Sequence, residues 1–329
     1  MRAKITDVAQ LAGVSASTVS HVINKTRFVS EDTTRRVLDA VEELGYTPDV
    51  SAQVFKTGRK MMIGFLVPDI TNPVFSLLIE CVENIVSQQG YRLVVANTRD
   101  SVELERNAIK SLASGVVDGL IVASSAHEIA DIDDCIPASF PVIFVDRQLE
   151  NYAQDSIVLD CYDAVGAMLD DLIASGHEKI GFIAGIPHLS ATRHRVGAYK
   201  DAFSRNGLKC DARLIRYLER SKDNADTAIT ALLDYGCTAL IGTNTNITLE
   251  VLNCLESDNV LELPRIQVCG FSDSYLAARF EKKLPVIDEP MEQMGVRAGE
   301  MILAKIAQPD SVFPVEKLAC GYRANHKAV

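Results

Sequence analysis

The sequence KITDVAQLAGVSASTVSHVINKTRFVSEDTTRRVLDAVEELG, residues 4–45, contains three short helix patterns with few residues between them. Thr6, Ser15 and Ser30 stand where caps for these helices are expected, and Gly13 is a typical helix end. Two helices joined by a tight Gly-containing turn and supported by a third make a helix-turn-helix. We therefore predict a helix-turn-helix headpiece at residues 1–47.

The chain changes character twice after this headpiece. Residues 48–60 carry Pro48, Gly58 and little amphipathicity, which predicts a linker or hinge. From residue 61 onwards, short apolar runs alternate with longer amphipathic stretches. Such alternation predicts an α/β domain, 61–329, built on parallel doubly wound sheets with helices on both faces.

The α/β pattern restarts part-way along the chain, since Ile63-Gly64-Phe65 is echoed by Ile180-Gly181-Phe182. We therefore predict two similar lobes, the first at about 61–161 and 290–322 and the second at about 162–289. Ligands bind such sheets at the carboxyl ends of their strands, so the crevice between the lobes is the expected ligand site.

Composition and charge agree with a protein that meets nucleic acid at one end only. The 329 residues carry a net charge of −11, but residues 1–60 hold +2 and the remainder −13. Phosphate neutralisation is local, so a weakly basic head on an acidic body fits DNA binding through the head. The chain shows neither a signal peptide nor a membrane span, which predicts a cytoplasmic protein.

Motifs for catalysis and metal binding do not occur in the sequence. It lacks a Gly-x-Gly-x-x-Gly, a phosphate loop, a His-Glu-x-x-His and a Gly-x-Ser-x-Gly. Its eight cysteines include no Cys-x-x-Cys pair, which argues against a zinc site or a disulfide framework and favours buried free thiols. We predict a non-enzyme with no cofactor, no metal and no catalytic residues.

The headpiece resembles that of the LacI/GalR repressors, and the resemblance continues almost to the carboxyl terminus. Its landmarks include Ile5-Thr6-Asp7-Val8-Ala9, Thr18-Val19-Ser20-His21-Val22-Ile23-Asn24, Asn72-Pro73, Val145-Asp146-Arg147, Gly270-Phe271 and Pro290. The resemblance implies a body with the fold of periplasmic sugar-binding proteins, a homodimer, and a small-molecule effector that changes DNA affinity. Within the family, this sequence resembles the sucrose- and fructose-operon regulators. We therefore expect a repressor of carbohydrate utilisation that acts on a pseudo-palindromic operator.

Several residues are expected to contact DNA if the second helix enters the major groove and the hinge enters the minor groove. They are Thr6, Ser15, Ala16, Ser17, Thr18, Ser20, His21, Asn24, Ala52 and Phe55. Phe55 stands where the family carries a leucine wedge. The alternatives are that His21 is a solvated surface residue and that Phe55 packs on the sensor.

The family pattern also implies a set of effector-binding residues in the crevice. They are Asp69, Phe75, Asp146, Arg147, Arg193, Arg195, Thr245, Ser272 and Asp273. Thr245 and Ser272 replace acidic residues that are common in relatives, while three arginines remain. This balance predicts an anionic or fructose-like effector, such as a sugar phosphate or sugar acid, with a neutral sugar as the rival.

Two other kinds of protein remain as alternatives to the repressor. A stand-alone sugar-binding or transport protein is opposed by the first 60 residues and by the missing signal peptide. A carbohydrate enzyme is opposed by the missing catalytic motifs.

Overall fold

The computed structural model describes residues 3–24, 27–46, 58–218, 225–257, 266–273 and 284–324. The chain divides into two compact units, residues 1–60 and 61–329. Most of the expected hinge, with Ala52 and Phe55, lies outside the described residues.

The first unit consists of three helices around a small apolar core. They are α1 (Ile5–Ala12), α2 (Ala16–Asn24) and α3 (Glu31–Glu43). Val8, Val19 and Val37 are fully buried where the helices meet. This is the helix-turn-helix that the sequence predicted.

Two of the three predicted caps are present. Ser15 Oγ accepts from Thr18 N at 3.2 Å, and Ser30 Oγ accepts from Thr33 N at 3.4 Å. The prediction for Thr6 was wrong: α1 begins one residue before it, and the Asp7 carboxylate accepts from Lys4 N at 2.8 Å instead. A carboxylate at the third helical position accepts from the backbone amide of the residue before the helix, as in the reciprocal half of a capping box.

The described part of the second unit contains twelve strands and seven α-helices. The strands are β1 (Met62–Val67), β2 (Arg92–Asn97), β3 (Gly119–Val122), β4 (Val142–Asp146), β5 (Ser156–Asp160), β6 (Ile180–Ala184), β7 (Ile215–Tyr217), β8 (Ala239–Gly242), β9 (Gln267–Asp273), β10 (Val286–Glu289), β11 (Glu316–Ala319) and β12 (Gly321–Arg323). The helices are α4 (Pro73–Ser87), α5 (Val102–Ala113), α6 (Tyr162–Ala174), α7 (Ser190–Arg205), α8 (Ala225–Asp234), α9 (Thr245–Ser257) and α10 (Met291–Ala307).

The strands form two six-stranded sheets in which equivalent strands follow one another in the same order. Their orders are β11-β5-β4-β3-β1-β2 and β12-β10-β9-β8-β6-β7. Among the described residues, the pairings between these strands are parallel except that of β12 with β10. Apolar side chains of α4 and α10 cover one face of the first sheet, and those of α5 cover the other. This is the predicted pair of doubly wound lobes.

The chain passes from one sheet to the other three times, at residues 160–162, 289–291 and 319–321, and we call these segments the crossovers. β12 pairs antiparallel with β10 of the second sheet. Residues 321–322 therefore belong to the second lobe, whereas the sequence assigned them to the first. A three-residue strand carries too little pattern to reveal its sheet, because the register is set by its partner strand.

The repeated Ile-Gly-Phe marks the same position in both lobes. A Cβ on Gly64 would lie 2.4 Å from Leu120 Cδ2 and 3.0 Å from Leu112 Cδ1. A Cβ on Gly181 would lie 2.7 Å from Leu240 Cδ2 and 2.9 Å from a Leu232 methyl. Each glycine thus lets leucine side chains from a helix and from the neighbouring strand pack closely on the strand next to the edge of its sheet.

Candidate functional site

A cavity of about 700 Å³ lies between the lobes, at the carboxyl ends of their strands. Six of the predicted effector-binding residues line it: Asp69, Phe75, Asp146, Arg147, Arg195 and Thr245. They come from loops or helix starts after β1, β4, β6 and β8, where parallel strands of each sheet end together. The topology thus places residues that are far apart in sequence around one crevice.

The first lobe contributes a charged cluster whose arginine is already paired. Arg147 Nη1 donates to Asp100 Oδ1 at 2.7 Å and to the Ser124 carbonyl at 3.1 Å. Arg147 Nε also lies 3.7 Å from Asp146 Oδ2. Asp146 ends β4 with φ of 68°, in the left-handed region that residues other than glycine adopt mainly as single positions. Burial raises the pKa of Asp146, while Arg147 opposes that rise.

The second lobe contributes one buried arginine, also paired. Arg195 is 8% exposed; its Nη1 donates to the Thr243 carbonyl at 2.6 Å and its Nη2 to Glu289 Oε1 at 2.6 Å. Its guanidinium carbon lies 4.3 Å from the centre of the Phe271 ring. Burial disfavours the charge on Arg195, but the neighbouring Cys161 and Glu289 raise its pKa above the usual value. Arg195 is therefore a fixed cation, neutralised in place.

Thr245 offers the cavity an unused hydroxyl. The residue is 2% exposed, and its Oγ1 has no hydrogen-bond partner among the described residues. Next to it, Asn246 Nδ2 lies 3.4 Å from Asp69 Oδ2 and joins the lobes across the cavity. A buried hydroxyl without a partner costs free energy, so a ligand that bonds to it would be favoured.

In the headpiece, the start of α2 presents small polar groups. Ser15 Oγ lies 2.7 Å from Ser17 Oγ and 2.8 Å from Thr18 Oγ1. Ser17 is exposed, whereas Ala16 and His21 are half-buried. Thr6 on α1 is exposed and Ser20 is half-buried. The helix start therefore has the small, polar surface that a major-groove reader needs.

Two family models match nearly the whole chain. Bacterial regulatory proteins of the lacI family match residues 4–49, and the periplasmic binding proteins and sugar binding domain of LacI family match residues 60–320. The chain belongs to the lacI family of bacterial regulatory proteins. It is thus a DNA-binding transcriptional regulator with a ligand-binding body, as the sequence predicted.

Named relatives agree with this family. The HTH-type transcriptional repressor PurR of Vibrio atlanticus is 34% identical over 94% of this chain and 93% of its own length. The PurR repressor of Photobacterium profundum is 31% identical over 92% of both chains.

Solved structures show the same fold. The lac repressor dimer bound to operator and the anti-inducer ONPF superposes with a TM-score of 0.82 at 23% identity, over 98% of both chains. The transcriptional regulator CelR in complex with cellobiose gives a TM-score of 0.69 at 25% identity, over 98% of this chain and 99% of that one. No helix in the described part of this lacI-family chain is long and apolar enough to cross a membrane.

Two predicted effector residues, Arg193 and Ser272, do not line the cavity of this lacI-family body. Arg193 turns the other way, where its Nη2 lies 2.6 Å from Glu150 Oε1 and its Nη1 lies 3.3 Å from His127 Nδ1. Residues two apart on a helix point about 200° apart, so Arg193 and Arg195 on α7 cannot share one face. Ser272 is buried within β9 and does not line the cavity. The side chains of Asp273 and of Asn24 lie outside the described part of the chain.

Sequence reasoning missed other lining residues of this site. Asp100, Asn244 and Glu289 stand at or just after the ends of β2, β8 and β10, and all three line the cavity. The rule that ligands meet the carboxyl ends of parallel strands would have found them once the strands were placed. The pairing of Asp100 with Arg147 and of Glu289 with Arg195 had no signal in the sequence.

Proposed function

We propose that this lacI-family regulator is a repressor whose DNA affinity is set by a neutral, polyhydroxylated, sugar-like effector bound in the crevice. The state of its arginines supports this. Arg147 and Arg195 each contact a carboxylate, and Arg193 lies outside the cavity lining. Five carboxylates line the cavity among the described residues, against three arginines: Arg147, Arg195 and Arg99, which has no carboxylate partner in that part of the chain.

This proposal replaces the phosphorylated or acidic effector that the sequence favoured. An anionic ligand that binds Arg147 or Arg195 would have to break charge-assisted bonds of about 2.7 Å that these two arginines already make, and would add charge to an acidic lining. A neutral polyol instead meets carboxylate acceptors together with the Thr245 hydroxyl. The sugar binding named in the matching domain and the cellobiose bound by a structural relative support the same class.

Calorimetric titration of matched pairs tests the effector class directly. Fructose would be compared with its phosphates, and a hexose with its uronic acid, on the full chain. We expect the neutral member of a pair to bind at least as tightly as the charged one. A gain of tenfold or more for the charged member, which is about 1.4 kcal/mol, would contradict the neutral-ligand proposal while leaving the repressor function intact.

On the DNA side, we infer a cytoplasmic homodimer that places two headpieces on a pseudo-palindromic operator, as in the dimeric lac repressor relative. Ala16, Ser17 and His21 would read bases, and Phe55 would act as the minor-groove wedge. His21→Ala should cost about 1–3 kcal/mol on the cognate operator and little on random DNA. Equal losses on both would show that His21 does not read bases.

The role of Phe55 as a wedge has a test of its own. Phe55→Ala should reduce operator bending and leave ligand binding unchanged. Unchanged bending with a less stable body would favour the packing alternative. Since the PurR relatives are named repressors, regulation rather than catalysis is the activity that we assign.

A further inference from the structure

Two cysteines meet at the crossovers between the lobes. Cys161 follows β5 on the first crossover, and Cys320 separates β11 from β12 on the third. Their Sγ atoms lie 2.6 Å apart although the residues are 159 positions apart in sequence. The backbone holds them together, because β11 pairs in parallel with β5 and Cys320 N donates to the Asp160 carbonyl at 2.9 Å.

The surroundings of the pair favour reaction at one of the two sulfurs. The hydrogen bond from Cys320 lowers the pKa of Cys161; burial opposes this, and the nearby Arg195 adds to it. Arg195 Nη2 lies 3.9 Å from Cys161 Sγ. By contrast, burial raises the pKa of Cys237 and Cys269. A thiolate beside a cation is the reactive form of cysteine.

Access and strand geometry also suit the pair. Cys161 is buried, while Cys320 is half-buried, so small oxidants can reach the contact from the Cys320 side. Neighbouring strands lie about 4.8 Å apart, which is within the span of the Cα atoms joined by a disulfide. Neither cysteine belongs to the lining of the ligand cavity.

We propose that Cys161 and Cys320 form a site of reversible oxidation that ties the first crossover to the third. With hydrogen peroxide as oxidant, the Cys161 thiolate attacks one oxygen, takes up OH as a sulfenic acid and releases hydroxide. The Cys320 thiol then attacks that sulfur, forming the S–S bond and releasing water once the hydroxyl leaves. Two thiols lose two electrons and two protons in total, and one peroxide becomes two waters.

The bond would act where the lobes are connected. Arg195, which contacts Cys161, also pairs with Glu289 on the second crossover. One small region thus holds elements of all three connections, and a covalent link across two of them restricts rotation of one lobe against the other. In the cytoplasm, disulfides are typically transient and regulatory, which suits a reversible restraint.

Thiol counting and peptide mapping on the full chain test the proposal. The protein would be treated with graded hydrogen peroxide, blocked with iodoacetamide under denaturing conditions, and digested without reduction. We expect two of the eight cysteines to become protected first, and a linked peptide that contains both Cys161 and Cys320. Dithiothreitol should restore full alkylation.

Single variants sharpen the test. Cys161→Ser and Cys320→Ser should each abolish the linked peptide, whereas the control Cys135→Ser, in another part of the first lobe, should retain it. Alkylation of both Cys161 and Cys320 after oxidation of the wild type, or their separate conversion to sulfinic acids, would overturn the proposal. This result needs no variant to fold.

A conformational readout follows the chemistry. Hydrogen exchange of peptides spanning the first and third crossovers should slow severalfold on oxidation and return after reduction. Unchanged exchange in a protein shown to carry the bond would overturn the restraint on the lobes. These measurements use no effector or DNA, so their failure is separate from any failure of the proposed function.

Discussion

The two lobes share a strand order but offer the crevice different chemistry. The first lobe presents a charged group in which Arg147 is paired within its own lobe by Asp100 and flanked by Asp146. The second lobe presents hydroxyls and amides, such as those of Thr245 and Asn244, together with Glu250 and the buried ion pair between Arg195 and Glu289. The comparison shows that the repeated scaffold fixes where the cavity lies, while the loops of each lobe decide which groups line it.

The largest expected effect concerns the buried ion pair of the second lobe. Glu289→Gln leaves the Arg195 charge buried without a carboxylate and should lower the free energy of unfolding by about 3–5 kcal/mol in urea titrations. Arg193→Ala removes a partly exposed pair and should cost no more than about 1 kcal/mol.

A double variant, Arg195→Met with Glu289→Gln, should recover much of that loss, because no charge is left unpaired. If Glu289→Gln and Arg193→Ala cost the same, burial would not distinguish the two pairs.

The next effect tests whether the lobes are equivalent in packing. Gly64→Ala and Gly181→Ala should each lower the free energy of unfolding by about 1–3 kcal/mol, since each new methyl meets leucine side chains within 3 Å. Gly197→Ala is the control: it lies in α7 with nothing within 4 Å of the added methyl and should stabilise the protein by about 0.5–1 kcal/mol. A loss at one repeat glycine alone would break the equivalence of the lobes.

The next smaller effect distinguishes the unpartnered hydroxyl of Thr245, which lines the cavity, from a hydrogen-bonded hydroxyl on the same helix. Thr245→Val removes a hydroxyl without a described partner and should raise the free energy of unfolding by about 1 kcal/mol, while weakening binding of the sugar identified by calorimetry severalfold.

Thr248, one turn later, is the matched control. Its hydroxyl accepts from Phe271 N at 3.1 Å and donates to the Asn244 carbonyl at 2.8 Å. Thr248→Val should therefore destabilise the protein by about 1–3 kcal/mol and leave sugar binding nearly unchanged. Destabilisation by both variants would show that Thr245 already has a partner in the free protein.

The smallest effect is a difference in pH dependence. The buried Glu105 of the first lobe accepts from Ser124 Oγ and Ser125 N, both at 2.5 Å, and burial raises its pKa despite these bonds. A raised folded-state pKa means that the native protein binds this proton more tightly than the unfolded chain. Its contribution to stability is present at low pH and is lost as the pH rises through the folded pKa.

Lowering the pH from neutral should therefore stabilise the wild type relative to Glu105→Gln, by at most about 1.4 kcal/mol per pH unit. Urea titrations at several pH values measure this slope, with Glu103→Gln, an exposed neighbour, as the control. Identical slopes for the wild type and Glu105→Gln would exclude Glu105 as the titrating group.

Local patterns in the sequence predicted much of the architecture. Two of the three helix caps, the three-helix headpiece and the Ile-Gly-Phe repeat follow from spacings of a few residues, and the strand–helix alternation predicts parallel sheets. The family resemblance supplied six of the cavity residues. Arg193 was misplaced although helix periodicity alone separates it from Arg195.

What only the tertiary structure decided are the partners of these residues. Arg195 meets Glu289 across 94 positions, and Cys161 meets Cys320 across 159. These contacts arise from the order of strands in each sheet and from the last two strands, because β11 joins the first sheet and β12 the second. No periodicity in the chain encodes them. The sequence by itself therefore determined the secondary-structure elements, the family and the location of the crevice. The charge balance of the crevice and the contact between the two thiols depend on residues that become neighbours only when both sheets have formed.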